Sequence, residues 1–215
     1  MAPERLPNAV FKRGQRLDNG LWEARCWRTD DFPDGTEVDQ PRDGWIPAWT
    51  MSGTDRGLIR VTFDTFALED DLNVWFVFVD EPKANPVAVN LVAFAGDERP
   101  AGTIVSHYAF ATMGVPNDRQ VGAVRWYPSD GLIHQIFVGP DWRRNKMATY
   151  LLYSASAFHH ANGWAGILHG DGRRTELGDH LAAASGYPDR FRPLDKRMPP
   201  MDPPSTARDD GKSGR

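Results

Sequence analysis

The chain has 215 residues, of which 40% are apolar, and this length and composition predict one domain with a full hydrophobic core. A formal charge of −4, from 25 Lys and Arg against 29 Asp and Glu, argues against a general nucleic-acid coat protein but leaves a local basic patch open. Cys26 is the only cysteine, the start lacks an apolar signal core, and no run approaches the roughly 20 apolar residues of a membrane helix. We therefore expect no disulfide, no bound metal, no membrane binding and a soluble, cytoplasmic protein.

The first part of the chain, residues 1–54, mixes Pro, Gly and Asp with four tryptophans and shows little helical periodicity. The sequence predicts one strand there, over residues 21–27, in an otherwise irregular, aromatic-rich segment packed on the main domain. The tryptophans could line a pocket for a substrate, although packing of an irregular segment is the favoured interpretation. They are Trp22, Trp27, Trp45 and Trp49.

The middle of the chain reads as strands separated by turn residues. Strands are predicted over 58–66, 73–79 and 87–94, which are rich in β-branched and aromatic residues, whereas the state of the apolar piece 104–112 stays open. Residues 121–127 and 132–138 flank an Asp-Gly pair at Asp130 and Gly131, which predicts an antiparallel hairpin.

A helix follows this hairpin. Its apolar residues recur at the spacing of one helix face, at Ala148, Leu151, Leu152, Ala155 and Phe158, and Asn162-Gly163 predicts its end. A strand over 164–168 and a second helix from Thr175 to Ser185 complete a strand-helix-strand-helix unit, which implies a parallel strand pair. The main domain is predicted over 55–192, and the proline-rich residues 193–215 are predicted to form a disordered tail.

The segment between the hairpin and this helix has the features of a phosphate site. A Gly139-Pro140 break leads through Arg143 and Arg144 into the helix, whose first N–H groups carry the positive end of the helix dipole. The two arginines could be ordinary surface charges, but cations are disfavoured at a helix start unless an anion is bound. A P-loop is excluded because the Gly-Lys-Ser/Thr ending is absent.

The strand, the Gly-Pro break, the Arg-Arg-x-x-x-Ala-Thr run and the helix together resemble the acetyl-CoA motif of the GNAT superfamily of N-acetyltransferases. In its pattern, Gln/Arg-x-x-Gly-x-Gly/Ala, Arg143 takes the first place and Ala148 the last, while Lys146 replaces the central glycine. Lysine there keeps the backbone N–H and is expected to hold helical dihedral angles. The resemblance implies an α/β fold with a GNAT-like mixed, mostly antiparallel central sheet, flanking helices and a splayed parallel strand pair.

The resemblance also assigns cofactor residues. The pantetheine arm would lie along the strand residues Ile136, Phe137 and Val138. The pyrophosphate would lie in a cradle made of Arg143, Arg144, Asn145, Lys146, Met147, Ala148 and Thr149.

Candidates for proton transfer are few. Many GNAT enzymes use a tyrosine four residues before a Gly-aromatic pair, but that position is Ala182, ahead of Gly186. Histidine is the residue type suited to this work near neutral pH, which points to His169, to its neighbour Asp171 at a strand end, and to His134. His159 and His160 lie at the end of the first helix, where the helix dipole favours a charged imidazole. They are therefore expected to be solvated and to cap the helix rather than to act in catalysis.

The resemblance therefore implies an N-acetyltransferase that moves acetyl from acetyl-CoA, its cosubstrate, to an amine by direct attack in a ternary complex. The amine acceptor, a small molecule or a protein, stays open, as does a homodimer. The alternative is a non-catalytic GNAT-like protein that binds a protein partner or acyl-CoA, which the missing tyrosine and glycine favour. A β-rich structural or virion component is a third possibility.

Overall fold

The computed structural model describes residues 5–54, 57–64 and 72–199. Within these ranges the chain forms a sheet of eleven strands, a sheet of two strands and three α-helices. The strands of the large sheet are β1 (Ala9–Arg16), β2 (Trp22–Arg28), β3 (Thr36–Glu37), β4 (Ile46–Gly53), β5 (Ile59–Phe63), β6 (Val74–Glu81), β7 (Ala88–Ala95), β8 (Thr103–Ser106), β9 (Gln120–Trp126), β10 (Leu132–Val138) and β11 (His169–Gly170). The small sheet pairs β12 (Arg173–Arg174) with β13 (Lys196–Arg197), and the helices are α1 (His107–Ala111), α2 (Met147–Ala161) and α3 (Glu176–Ala183).

The large sheet is mixed and mostly antiparallel. Its strand order is β11-β10-β9-β7-β6-β8-β5-β4-β2-β1-β3. Parallel neighbours are β6 with β8, β1 with β3, and β10 with β11. The predicted α/β class and the predicted mixed, mostly antiparallel sheet are confirmed, and the sheet is larger than the predicted strands provide for.

The first part of the chain accounts for much of this extra size. Beyond the predicted strand near residues 21–27, it supplies β1, β3 and β4 to the same sheet, so the prediction of an otherwise irregular segment is wrong. In β2 the buried Ala24, Cys26 and Arg28 alternate with the exposed Arg25. Strand β1 lacks such an alternation, because its buried residues Val10 and Phe11 are adjacent and its last three residues are exposed, so the sequence pattern does not predict it.

The second half of the chain follows the sequence more closely. The hairpin of β9 and β10 is confirmed, and Thr175 caps α3 by accepting a hydrogen bond from the Gly178 N–H at 3.1 Å. The open piece 104–112 holds most of β8 and then α1. The strand predicted over 164–168 is wrong in position, because the short strand that pairs with β10 is β11.

The predicted disordered tail is only partly within the described ranges. Residues 193–199 are described, and β13 in this stretch pairs with β12, so disorder is the wrong prediction there. The backbone N–H groups of Asp195 and Met198 donate to Gly172 and Arg174 at 2.8 Å each. Residues 200–215 of the predicted tail lie outside the described residues, as do 65 and 66 of the predicted strand 58–66.

Helix α2 is the centre of the main hydrophobic core. It packs against β1, β2, β4, β5, β7, β9 and β10, so the sheet curves around it. Eleven of its 15 residues are buried, on all sides of the helix, and the prediction of a single apolar face is too narrow. Of the residues predicted on that face, Leu151, Ala155 and Phe158 are buried, whereas Leu152 is half-buried.

A smaller cluster covers the opposite face of the sheet. Strand β6 contributes Trp75 and Val77 to this cluster, and Val74 and Phe76 to the main core. Burial on both faces explains why β6 reads as a continuous apolar run. Around α1, Phe110 packs over Trp75 with ring centroids 6.1 Å apart. Among the described helices, none is long and apolar enough to cross a membrane.

Candidate functional site

The loop between β10 and α2 has an unusual backbone. After a 3-10 turn at Pro140–Trp142, Arg144 and Lys146 both have left-handed conformations, with φ of 65° and 57°. Lys146 stands at the start of α2, and no side chain of the described residues caps this helix end. The expectation of helical dihedral angles at Lys146 is therefore wrong: this lysine holds the conformation that glycine adopts at least cost. Such strain in a non-glycine residue is typical of functional sites.

The side chains of this loop are divided between solvent and core. Arg144, Asn145 and Lys146 are exposed, whereas Met147 is only 1% exposed and packs in the main core. Ala148 and Thr149 are half-buried. Of the predicted cradle, Met147 can therefore offer a ligand only its backbone N–H, while the three exposed residues can also offer side chains.

Arg143 links the loop to the end of β10. It is half-buried, and its Nε donates to the Val138 carbonyl oxygen at 3.1 Å. This bond places a guanidinium beside the carboxyl end of the strand and the start of α2. The loop thus concentrates cationic side chains at a helix end whose dipole disfavours cations.

Strand β10 is paired unequally on its two sides. On one side Ile136, Phe137 and Val138 pair with β9. On the other side the described pairing with β11 covers only Leu132 and Ile133, and the register with β9 shifts between Ile133 and Gln135. Beyond Ile133 the described strand β11 therefore does not cover this edge of β10, where the pantetheine arm is predicted.

Of the three predicted catalytic residues, His134 lies on β10, His169 lies on the neighbouring β11 and Asp171 follows β11, but each has different contacts. The exposed His134 lies at the register shift of β10, with its ring 5.4 Å from that of Tyr127. His169, which pairs with Leu132 in register, directs its Nδ1 to the Ile167 carbonyl oxygen at 3.2 Å. Asp171 accepts a hydrogen bond and an ion pair from Arg173, and these contacts hold its pKa below the usual range although burial opposes them.

The histidines at the end of α2 are buried, so the expectation that they are solvated is wrong. His159 is 0% exposed and accepts a hydrogen bond from the Trp126 Nε1–H at 3.2 Å, while its Nε2 faces the Ala165 carbonyl oxygen at 3.0 Å. His160 is 5% exposed and stacks on Phe11 with ring centroids 3.7 Å apart. Burial lowers the pKa of His159, and lowers that of His160 to about 3. Both imidazoles are neutral at neutral pH.

A second region of interest is a cleft between this end of α2 and the first strands. The space inside it is small, about 20 Å³, and it opens to solvent. Sequence reasoning missed this site, although one signal was present: Arg28 shares the alternation of the buried Ala24 and Cys26. The polar residues that line it are Cys26, Arg28, Tyr153, Ser156, His160, Tyr187 and Arg190.

The ionisable residues in this cleft include a paired arginine, a buried thiol and a buried phenol. Arg190 forms a two-pronged ion pair with Asp34, with both N–O distances 2.7 Å, and this pairing holds the pKa of Asp34 low against the effect of burial. Burial raises the pKa of the Cys26 thiol to about 12 and also raises the pKa of Tyr187. The thiol and the phenol are therefore neutral, and Cys26 is not an activated nucleophile.

No protein-family model, curated protein or solved structure matches this chain. In the described part of the chain, no group of three or more His, Cys, Asp or Glu side chains is placed to hold a metal ion. A functional interpretation therefore depends on the geometry of the loop and the cleft.

Proposed function

We propose that the protein is a GNAT-like N-acetyltransferase that binds acetyl-CoA at the loop between β10 and α2. The observation that carries this proposal is the start of α2. Among the described residues no side chain caps this helix end, which lies at the carboxyl end of a strand whose outer edge β11 pairs only as far as Ile133. The N–H groups of the first turn of a helix point outward along its axis and suit a pyrophosphate.

Charge supports the same assignment. Arg144 and Lys146 are exposed beside the helix start, and Arg143 is held there by Val138. A polyanion bound at this helix start would lie close to the positive end of the dipole and within reach of these three cationic side chains. The left-handed Arg144 and Lys146 lie on either side of Asn145, and left-handed residues are an element of the backbone nests that direct N–H groups toward anions.

The open edge of β10 supports an extended ligand. Backbone groups beyond Ile133 on the side of β11 offer the hydrogen-bonding pattern that a strand-like amide chain can complete, and pantetheine contains two amides. Ile136, Phe137 and Val138 would hold this arm.

Acyl transfer from a thioester needs one base and one acid. The nitrogen of a neutral amine attacks the acyl carbon, the C–N bond forms, the C–S bond breaks, the amine loses a proton and the thiolate gains one. His169 is the better base, because an Nδ1–H that donates to the Ile167 oxygen leaves Nε2 with a lone pair. His134 is a second candidate, whereas the carboxylate of Asp171 is engaged by Arg173.

A non-catalytic acyl-CoA-binding protein is the second candidate function. Ala182 stands where the family acid would be and is 7% exposed, so no side chain there can protonate a thiolate. This observation favours binding without turnover. An assay of acetyl-CoA turnover therefore distinguishes the two functions.

Turnover and binding are measured on the same sample. Isothermal titration with acetyl-CoA, and with the truncated thioester S-acetyl-N-acetylcysteamine that lacks the pyrophosphate, tests the site. We expect binding of acetyl-CoA only, and acetylation of at least one member of an amine panel. Binding without turnover supports the second function, whereas equal binding of both thioesters refutes the pyrophosphate assignment.

A further inference from the structure

The cleft between α2 and the first strands carries an unbalanced charge. Arg28 is 6% exposed, and its described polar contact is a bond from its terminal nitrogen to the Tyr153 hydroxyl at 3.3 Å. Arg190, the other guanidinium in the cleft lining, is neutralised by Asp34. In the part of the chain that the structure describes, Arg28 has no carboxylate partner, so the cleft holds about one excess positive charge.

Two buried polar atoms in the cleft also have unmet hydrogen-bonding capacity. Among the described residues, neither the Nε of Arg28 nor the Nδ1 of His160 has a hydrogen-bond partner. Both side chains are more than nine-tenths buried and both line the cleft. A buried ionised group without a counter-charge and a buried polar atom without a partner are each costly, and one ligand with negatively charged oxygens would satisfy both.

We propose that this cleft is a binding site for a carboxylate group, with Arg28 as its counter-ion and His160 as a hydrogen-bonding partner. The excess charge of about one matches a monoanion, whereas a phosphate dianion would leave a buried negative charge uncompensated. The planar guanidinium fits a planar carboxylate. Because the space inside the cleft is small, it admits a small carboxylic acid, or the carboxylate of a longer molecule whose remainder lies outside the cleft.

The site is separate from the proposed acetyl-CoA loop. Three residues of α2 line the cleft, Tyr153, Ser156 and His160, and all of them lie more than one turn beyond Met147, where the helix starts. The proposal therefore does not depend on the transferase assignment, and each can fail alone.

The test uses acetate as the probe, with acetamide as its uncharged analogue of similar shape and sodium chloride for equal ionic strength. Binding is followed in the full-length protein from the ¹H–¹⁵N signal of the Arg28 Nε–H and from the thermal midpoint. The Arg28→Gln variant removes the counter-ion. Arg25→Gln makes the same charge change on the exposed face of the same strand and is the matched control.

We expect acetate, and not acetamide, to shift the Arg28 signal and raise the thermal midpoint in the wild type and in Arg25→Gln. Arg28→Gln should weaken acetate binding at least about tenfold. If that variant does not fold, Ser156→Val, which adds bulk to the cleft without touching the charge, should weaken binding instead. Equal effects of acetate and acetamide, tighter binding of inorganic phosphate than of acetate, or unchanged binding in the folded variants would overturn the proposal.

Discussion

His160 should make the protein less stable as the solution becomes mildly acidic. In the unfolded chain this histidine has a pKa of 6.5, whereas burial, with smaller effects from His159 and two arginines, lowers its pKa in the folded protein to about 3. Between these values the unfolded state binds a proton and the folded state does not, so the free energy of unfolding falls as the pH falls. The stability is fully present above pH 6.5 and is lost progressively toward pH 3.

The magnitude follows from the linkage relation. At pH 5 the unfolded histidine is almost fully protonated and the folded one is almost fully neutral, so the loss between pH 7 and pH 5 is about 2 kcal/mol for His160 alone. His159, whose pKa is also lowered, adds a loss of the same sign. Urea unfolding followed by tryptophan fluorescence measures the sum.

The His160→Phe variant isolates the contribution of this residue. Phenylalanine retains a ring to stack on Phe11 but cannot titrate, so the variant should lose about 2 kcal/mol less than the wild type between pH 7 and pH 5. His180→Gln is the control, because the side chain of His180 is 76% exposed. Equal losses in the wild type and in His160→Phe would refute the assignment of a buried neutral imidazole.

Two further substitutions test the close packing at Gly102 and the ion pair between Asp34 and Arg190. Gly102→Ala should destabilise the protein by at least about 2 kcal/mol in chemical unfolding, because φ is +76° and a Cβ would lie 2.0 Å from the Val61 carbonyl oxygen. Gly44→Ala is the control: its φ is +87°, but a Cβ there meets open space, so it should cost about 1 kcal/mol. Equal costs of the two substitutions would contradict the predicted clash. Asp34→Asn should cost about 2–3 kcal/mol in the same assay because it breaks the two-pronged pair with Arg190, and a loss under about 0.5 kcal/mol would show that this pair is not structural.

Local patterns in the sequence were sufficient to predict the hairpin of β9 and β10 and the start of α3. The Asp-Gly turn at Asp130 and Gly131 predicts the hairpin, because few residues adopt the backbone that such a turn needs, and Gly131 has a φ of +79°. The cap at Thr175 is likewise encoded within four residues of the chain. These features depend only on near neighbours.

The first strands and the helix-end histidines depend on distant partners. Arg28 and His160 are polar residue types that the sequence alone assigns to solvent, yet both are buried in one cleft that joins β2 to α2. Their burial depends on contacts such as the stacking of His160 on Phe11, which is far away in the chain. No local pattern encodes such a contact, and the alternation of Arg28 with Ala24 and Cys26 does not by itself show which residues lie opposite it.

The loop that is proposed to bind acetyl-CoA lies between these cases. The sequence indicates the cations and the helix start, and the structure adds the left-handed Lys146 and the incomplete pairing of β10. The conformation of Lys146 was not predictable, because lysine rarely adopts it without support from its surroundings.

The most direct test of the proposed function is calorimetric titration of acetyl-CoA into the wild type, Arg144→Gln and Arg25→Gln. Both arginines are exposed, but only Arg144 lies in the loop before α2. We expect the wild type and Arg25→Gln to bind equally and Arg144→Gln to bind about tenfold more weakly, in line with the loss of one charge-assisted hydrogen bond. An absence of binding to the wild type at millimolar acetyl-CoA would contradict the account.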